Sequence, residues 1–253
     1  MKIKHLLCFI ALCLFFTPGK AQQLSVMTLR NGATVYIWED KSKPDVFGMI
    51  AFKVGSVDDP EQYTGLAHYL EHVMFKGTQT IDALDWEKEK PIYEKIIAKY
   101  DERAALSDPA AREAVDKEIN DLTREAAQYA AGNEFSLLVD HMGGQGLNAS
   151  TGYDQTEYHN SFPPSQLEKW LEIYSERLIA PVFRGFQTEL EAVYEEYNMY
   201  NDDRGSRMRE FIYEQAFGDH PYARPIIGLP EHLKNPQLSK LIDFYNTWYG
   251  PQN

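Results

Sequence analysis

His68-Tyr69-Leu70-Glu71-His72 decides how the chain reads, with Gly65-Leu66-Ala67 before it and Val73-Met74-Phe75-Lys76-Gly77-Thr78 after it. The pattern is H-x-x-E-H, the reverse of the zinc-site H-E-x-x-H. A helix advances about 100° per residue, so residues i and i+4 lie one above the other. His68 and His72 then share one face, with Glu71 at its near edge, while Leu66, Leu70, Val73 and Met74 fall opposite. One side of such a helix can enter an apolar core while the other shows two imidazoles and a carboxylate to a cleft. Two imidazoles one turn apart can hold one zinc ion, and a carboxylate beside them can take a proton from water.

The rest of the composition bounds the setting. A chain of 253 residues holds one large domain or two small ones. Its 43% hydrophobic content and 16 tyrosines suit a globular core of good size. The formal charge of -13 argues against a nucleic-acid partner, because phosphate binding needs clustered Lys and Arg.

The first residues read as a secretory leader. Lys2 and Lys4 make a basic start, and Leu6 to Phe16 form an apolar run too short to span a bilayer. Thr17-Pro18-Gly19-Lys20-Ala21 ends on small residues, so residues 1–21 are expected to be a signal peptide cut after Ala21. That places the product outside the cytoplasm, secreted or periplasmic. Both cysteines, Cys8 and Cys13, leave with the leader, so the mature chain has no disulfide and no thiol ligand. No later stretch is apolar and long enough for a transmembrane helix.

Leu24 to Arg30 and Ala33 to Trp38 read as a hairpin about a tight Asn31-Gly32 turn. Phe47 to Val54 is a third strand, apolar enough to be central. About 85–131 differs in kind, rich in Glu, Lys and Ala, with Tyr93, Ile96, Ile97, Tyr100 and then Val115, Ile119, Leu122 at helical spacing. Ser107-Asp108-Pro109 restarts a helix between the two runs. This predicts a helical hairpin inserted after the motif helix. Strands follow at Leu147 to Thr151 and Gln155 to Phe162 about a Gly152-Tyr153-Asp154 turn, the second alternating Thr156, Tyr158, Asn160 against Glu157, His159, Ser161. Helices are expected from Pro164 to about Ala180, from Phe186 to about Asn201, then, after a break at Asp202-Asp203-Arg204-Gly205, resuming to Phe217, and from Leu238 to Tyr249.

A catalytic zinc takes three protein ligands and keeps one position open. The other histidines, at 5, 141, 159, 220 and 232, show no paired spacing. The 186–201 helix offers several acids. Those bordering its buried stripe, Glu189 and Glu196, are two turns apart and are the favoured pair; spacing does not choose between them.

Leu66 to Thr78, Asn148-Ala149-Ser150-Thr151, Glu189-Leu190-Glu191-Ala192-Val193-Tyr194-Glu195-Glu196, and His220-Pro221-Tyr222 with Gly228 together resemble the pitrilysin/insulinase family of inverted zinc peptidases. The resemblance covers essentially all of the chain after the leader and looks like the N-terminal portion of a bacterial secreted member. It implies an α+β metallohydrolase domain, a mixed or antiparallel sheet packed by helices, over residues 22–253. It implies Zn2+ held by His68, His72 and Glu196, Glu71 as base, and Glu189 supporting the site from behind. Asn148 and Ala149 match the strand to which an extended peptide substrate adds. The stretch from His72 to Glu196 exceeds the usual family gap, and the 85–131 hairpin accounts for the surplus. Family domains continue past Tyr-x-Pro-x-Asn into another core strand, so this domain is expected to be incomplete at its C-terminus. Full enzymes add a second homologous domain, in the same chain or a partner, that closes over oligopeptides or unfolded segments. The implied activity is zinc endopeptidase. The rivals are a non-catalytic binding or scaffold subunit on the same fold, and a fragment inactive without its second domain; the intact motif with a fitting distal Glu argues against the first.

Overall fold

A computed structural model describes residues 24–253. The expected leader lies outside the described residues.

The described residues fall into two compact units, 24–44 with Gln252, and Asp45–Pro251 with Asn253. The first is an antiparallel hairpin, β1 (Leu24–Thr28) and β2 (Thr34–Trp38), registered from Leu24 opposite Trp38 to Thr28 opposite Thr34. The link is longer than a two-residue turn: Leu29 N–H donates to Ala33 O at 2.8 Å, and Gly32 takes the left-handed φ of +97°.

The second unit holds the motif. Its strands are β3 (Val46–Phe52), β4 (Gln145–Thr151) and β5 (Thr156–Phe162), antiparallel in the order β3-β5-β4. β5 is therefore the middle strand, and β3, which its apolar content predicts as central, sits at one end. On β3, Phe47 and Met49 are exposed while Gly48 and Phe52 are buried. Gly48 is where the indole of Trp170 lies on the strand; a Cβ there would stand 2.6 Å from Trp170 Cζ2. On β5 the predicted alternation holds, with Thr156, Tyr158, Asn160 and Phe162 buried.

The helices are α1 (Leu66–Val73), α2 (Trp86–Ala105), α3 (Pro109–Ala126), α4 (Glu134–His141), α5 (Leu167–Ile179), α6 (Phe186–Asp202), α7 (Arg204–Phe217), α8 (Pro230–Leu233) and α9 (Leu238–Trp248). α2 and α3 are the predicted hairpin, and Asp108 caps α3 by accepting from Ala111 N–H at 3.0 Å with Pro109 at the first position. The short α4 is not foreseen; eight residues give too little periodicity to read.

α1 is the buried centre. Leu66, Leu70, Val73 and Met74 all lie in the core, as the motif spacing requires. The helix starts where two backbones touch. Gly65 has φ +90° and a Cβ there would sit 2.6 Å from Ile227 O, while Gly228, at φ +93°, lies against Thr64 O. Asp59 closes the start, accepting from Gly65 N–H at 2.7 Å and Ala67 N–H at 2.9 Å.

Candidate metal centre

Two helices and one strand end build the site. α1 presents the rings of His68 and His72 with centroids 4.8 Å apart. α6 lies alongside because Phe186, Leu190 and Val193 are buried against the core, and the Tyr69 hydroxyl donates to Phe186 O. That packing turns Glu189 and Glu196 toward the imidazoles. Glu196 Oε2 is 3.6 Å from His68 Nε2 and 3.5 Å from His72 Nε2. A tetrahedral ion with bonds of about 2.0–2.1 Å spaces its ligand atoms roughly 3.3 Å apart. The two distances to Glu196 are close to that, and His68, His72 and Glu196 are the trio that metal-site geometry selects among the described residues. The donor set of two imidazoles and a carboxylate leaves one corner of such a tetrahedron open.

Glu189, the other acid of the pair, faces the opposite ring nitrogen of His72. Its Oε2 lies 3.5 Å from His72 Nδ1, and its Oε1 lies 2.5 Å from Lys76 Nζ. The chain thus separates the two acids by which nitrogen of His72 each meets, a distinction that sequence spacing left open. His68 Nδ1 is buried with no partner among the described residues.

Glu71 lines the same cleft and has a bond of its own: Thr151 Oγ1, at the end of β4, donates to Glu71 Oε2 at 2.6 Å. Burial raises the Glu71 carboxyl above its usual value, and the Thr151 bond and His72 pull it partly back. Burial, with His72 adding to it, lowers His68 to about 3, which leaves its imidazole neutral, the form that can coordinate. For His72 burial also pulls down, but the Glu189 contact and the charges of Glu71 and Glu196 outweigh it and raise the value. Burial likewise pushes Glu189 up, and its bonds to His72 and Lys76 reverse this to below the usual value.

Arg177 lies behind the motif. Its Nε donates to Met74 O at 2.9 Å, at the C-terminal end of α1, and its guanidinium is 4.2 Å from the centre of the Phe75 ring and 4.3 Å from that of Tyr158. A cation suits the negative end of a helix and the faces of aromatic rings. Arg177, Thr151 and Lys76 are contributors that the sequence reading did not assign. Lys76, four residues after His72, had a spacing that could have found it; the other two come from far along the chain.

The site opens into a cleft of about 860 Å3. One wall is β4, an end strand, with Asn148 and Ala149 opposite His159 and Tyr158 of β5. Tyr197 and Tyr200 of α6, Arg209 and Tyr213 of α7, and residues 223–227 line the rest. No helix among the described residues is long and apolar enough to cross a membrane.

The profile of the insulinase family (peptidase family M16) matches residues 34–90 and 119–229. Its first block contains His68, Glu71 and His72, and its second Glu189 and Glu196. The zinc protease PqqE of Helicobacter pylori is 25% identical over 231 residues, 90% of this chain and 41% of that protein. A protease of known structure from Helicobacter pylori gives a TM-score of 0.69 at 22% identity, covering 92% of this chain and 45% of its own. The first half of the periplasmic protease PqqL from Escherichia coli gives 0.65 at 22%, covering 92% and 42%. At such identity these structures speak for the fold alone. The chain spans less than half the length of these relatives. Matched over more than half of its length, in the two blocks that carry the clustered histidines and acids, the chain belongs to the insulinase family, peptidase family M16.

Proposed function

We propose that this chain is the metal-binding domain of a zinc endopeptidase exported from the cytoplasm, acting on oligopeptides or unfolded segments. The observation that carries the reading is the convergence of His68, His72 and Glu196 on spacings that suit one tetrahedral ion, with Glu71 beside them and bound to Thr151. The names of the zinc protease relatives point to the same metal.

His68 Nε2, His72 Nε2 and Glu196 Oε2 would hold Zn2+, which as a Lewis acid makes water nucleophilic near neutral pH and polarises a peptide carbonyl. Glu71 does the proton work. Thr151 occupies its Oε2, so Oε1, without a hydrogen-bond partner among the described residues, would accept the proton of the attacking water and later pass it to the leaving amine nitrogen. Asn148 and Ala149, on the edge of β4 that no strand among the described residues covers, would pair main chain to main chain with an extended substrate. Export follows from the leader of residues 1–21. A second homologous domain would cover the cleft: the relatives are more than twice as long, and α7, on the cleft wall, leaves Met208, Phe211 and Ile212 exposed.

Glu71→Gln tests the assignment. The variant is expected to bind zinc as the parent does, by elemental analysis, and to lose at least about a hundredfold in peptide turnover. Undiminished cleavage by that variant would remove Glu71 from the mechanism, and a parent protein that binds no zinc would remove the reading as a whole. Because the chain spans less than half of its relatives, the assay is run with and without the downstream domain.

A further inference from the structure

We propose that Lys76 is a positioning residue of the metal centre: it pins the Glu189 carboxylate so that Glu189 faces His72 Nδ1, which holds His72 with Nε2 turned to the ion. The inference rests on the zinc-peptidase reading and assigns a residue that this reading does not use.

The geometry is a chain of contacts. Lys76 Nζ is 2.5 Å from Glu189 Oε1, Glu189 Oε2 is 3.5 Å from His72 Nδ1, and His72 Nε2 is 3.5 Å from Glu196 Oε2. The two faces of one imidazole therefore meet two different carboxylates. A metal-bound histidine is oriented by what its other nitrogen meets, and loss of that partner typically weakens metal binding about 10–100-fold. His68 has no such partner, since its Nδ1 is buried and unbonded among the described residues. Orientation of the pair thus falls on His72, and through it on Glu189.

Left alone, Glu189 has a rival use. It sits on the same helix and side as Glu196, and a carboxylate that is free to swing is itself a metal ligand. A lysine bound to one oxygen keeps Glu189 at its post. Lys76 is itself held. Its carbonyl accepts from Arg184 Nη1 at 3.2 Å, and Arg184 is clamped by Glu89 of α2 through two bonds of 2.6 and 2.8 Å. The next residue, Gly77, has φ +89° and no room for a Cβ, which would meet Ile81 O at 2.5 Å. The main chain at Lys76 is thus fixed on both sides, and the side chain spans a set distance.

The sign of the effect separates this role from simple charge. Removing a cation near a dication should tighten zinc binding by Coulomb's law. Removing a positioning residue should loosen it. The measurement is zinc affinity by chelator competition on the metal-free chain. Lys76→Met is expected to bind zinc about tenfold more weakly, and Lys76→Arg to stay within about threefold of the parent. In a Glu189→Gln background, Lys76→Met is expected to add no further loss, because its route to the metal is already cut. Circular dichroism and melting of the metal-free forms check folding, and Lys76→Gln replaces Lys76→Met should the latter fold poorly.

Unchanged or tighter zinc binding in Lys76→Met overturns the proposal while leaving the peptidase reading intact. So does a loss that persists in the Glu189→Gln background. A raised KM at unaltered zinc affinity would make Lys76 a substrate contact and overturns it too. A parent chain that binds no zinc takes both readings down together.

Discussion

Thr151 shows how far the chemistry of Glu71 depends on a partner outside the motif. Its hydroxyl donates to Glu71 Oε2 at 2.6 Å across 80 positions of sequence. The bond fixes which oxygen is spoken for, and it draws down a carboxyl that burial raises. Thr151→Val keeps the shape and deletes the donor. A hydrogen bond to a charged group contributes about 1.5–3 kcal/mol. The variant should therefore keep its zinc, measured by chelator competition, and lose roughly tenfold or more in kcat; equal kcat in parent and variant would leave Thr151 as packing only. Nothing in the sequence near Thr151 announces this, because a threonine at a strand end is ordinary by itself. His68, Glu71 and His72 announce themselves, because one helix turn fixes their mutual placement before any tertiary contact is made.

Among elements, α1 is the one under tension between burial and charge. Asp59 sits at its N-terminus, 5% exposed, and accepts from Gly65 and Ala67. Burial pushes its carboxyl from 3.8 to about 7, against the two backbone bonds and Arg224, which favour the ion. A folded value above the unfolded one means that the native state holds a proton that the unfolded chain has released. The stabilisation is full below about pH 3.8 and is lost as pH rises through about 7. Denaturant titration of the metal-free chain should then show the Asp59 contribution falling between about pH 4 and pH 7. Asp59→Asn, which cannot titrate but can still accept a bond, should flatten that slope; an unaltered slope would place the titration elsewhere. The elements themselves were largely legible. α2, α3, α5, α6 and α9 follow apolar stripes of helical period, and Asp108-Pro109 marks the start of α3. The rank of β3 was not legible, since apolar content does not tell an end strand from a middle one when the outward face also carries Phe47 and Met49.

Across the second unit, the inserted hairpin is tied to the floor of the site. Glu89 of α2, 2% exposed, meets Arg184 in a two-pronged pair, and Arg184 reaches the Lys76 carbonyl. Tyr93 OH accepts from Phe183 N–H at 3.3 Å beside it. The family profile passes over 91–118, so the pair stands where matched sequence gives way to the insertion. Breaking a buried pair from one side leaves an uncompensated charge, which costs about 3–5 kcal/mol. Arg184→Met should lose stability of that order in a urea titration, and Arg184→Met with Glu89→Leu should recover a good part of it; no recovery would mean that the loss is one of packing.

The local part of the site was written in the sequence. Helical period puts His68, Glu71 and His72 on one face and Leu66, Leu70 and Val73 on the other, and no distant residue is needed for that. What only the tertiary structure decided is how the distant residues divide the work. Glu189 and Glu196 are equivalent by spacing; the packing of Phe186, Leu190 and Val193 sets the position of α6 along α1 and so delivers Glu196 to both Nε2 atoms and Glu189 to Nδ1 and Lys76. The physical reason is range. A helix fixes neighbours through its own hydrogen bonds, whereas the offset between two helices is set by a whole core settling at once.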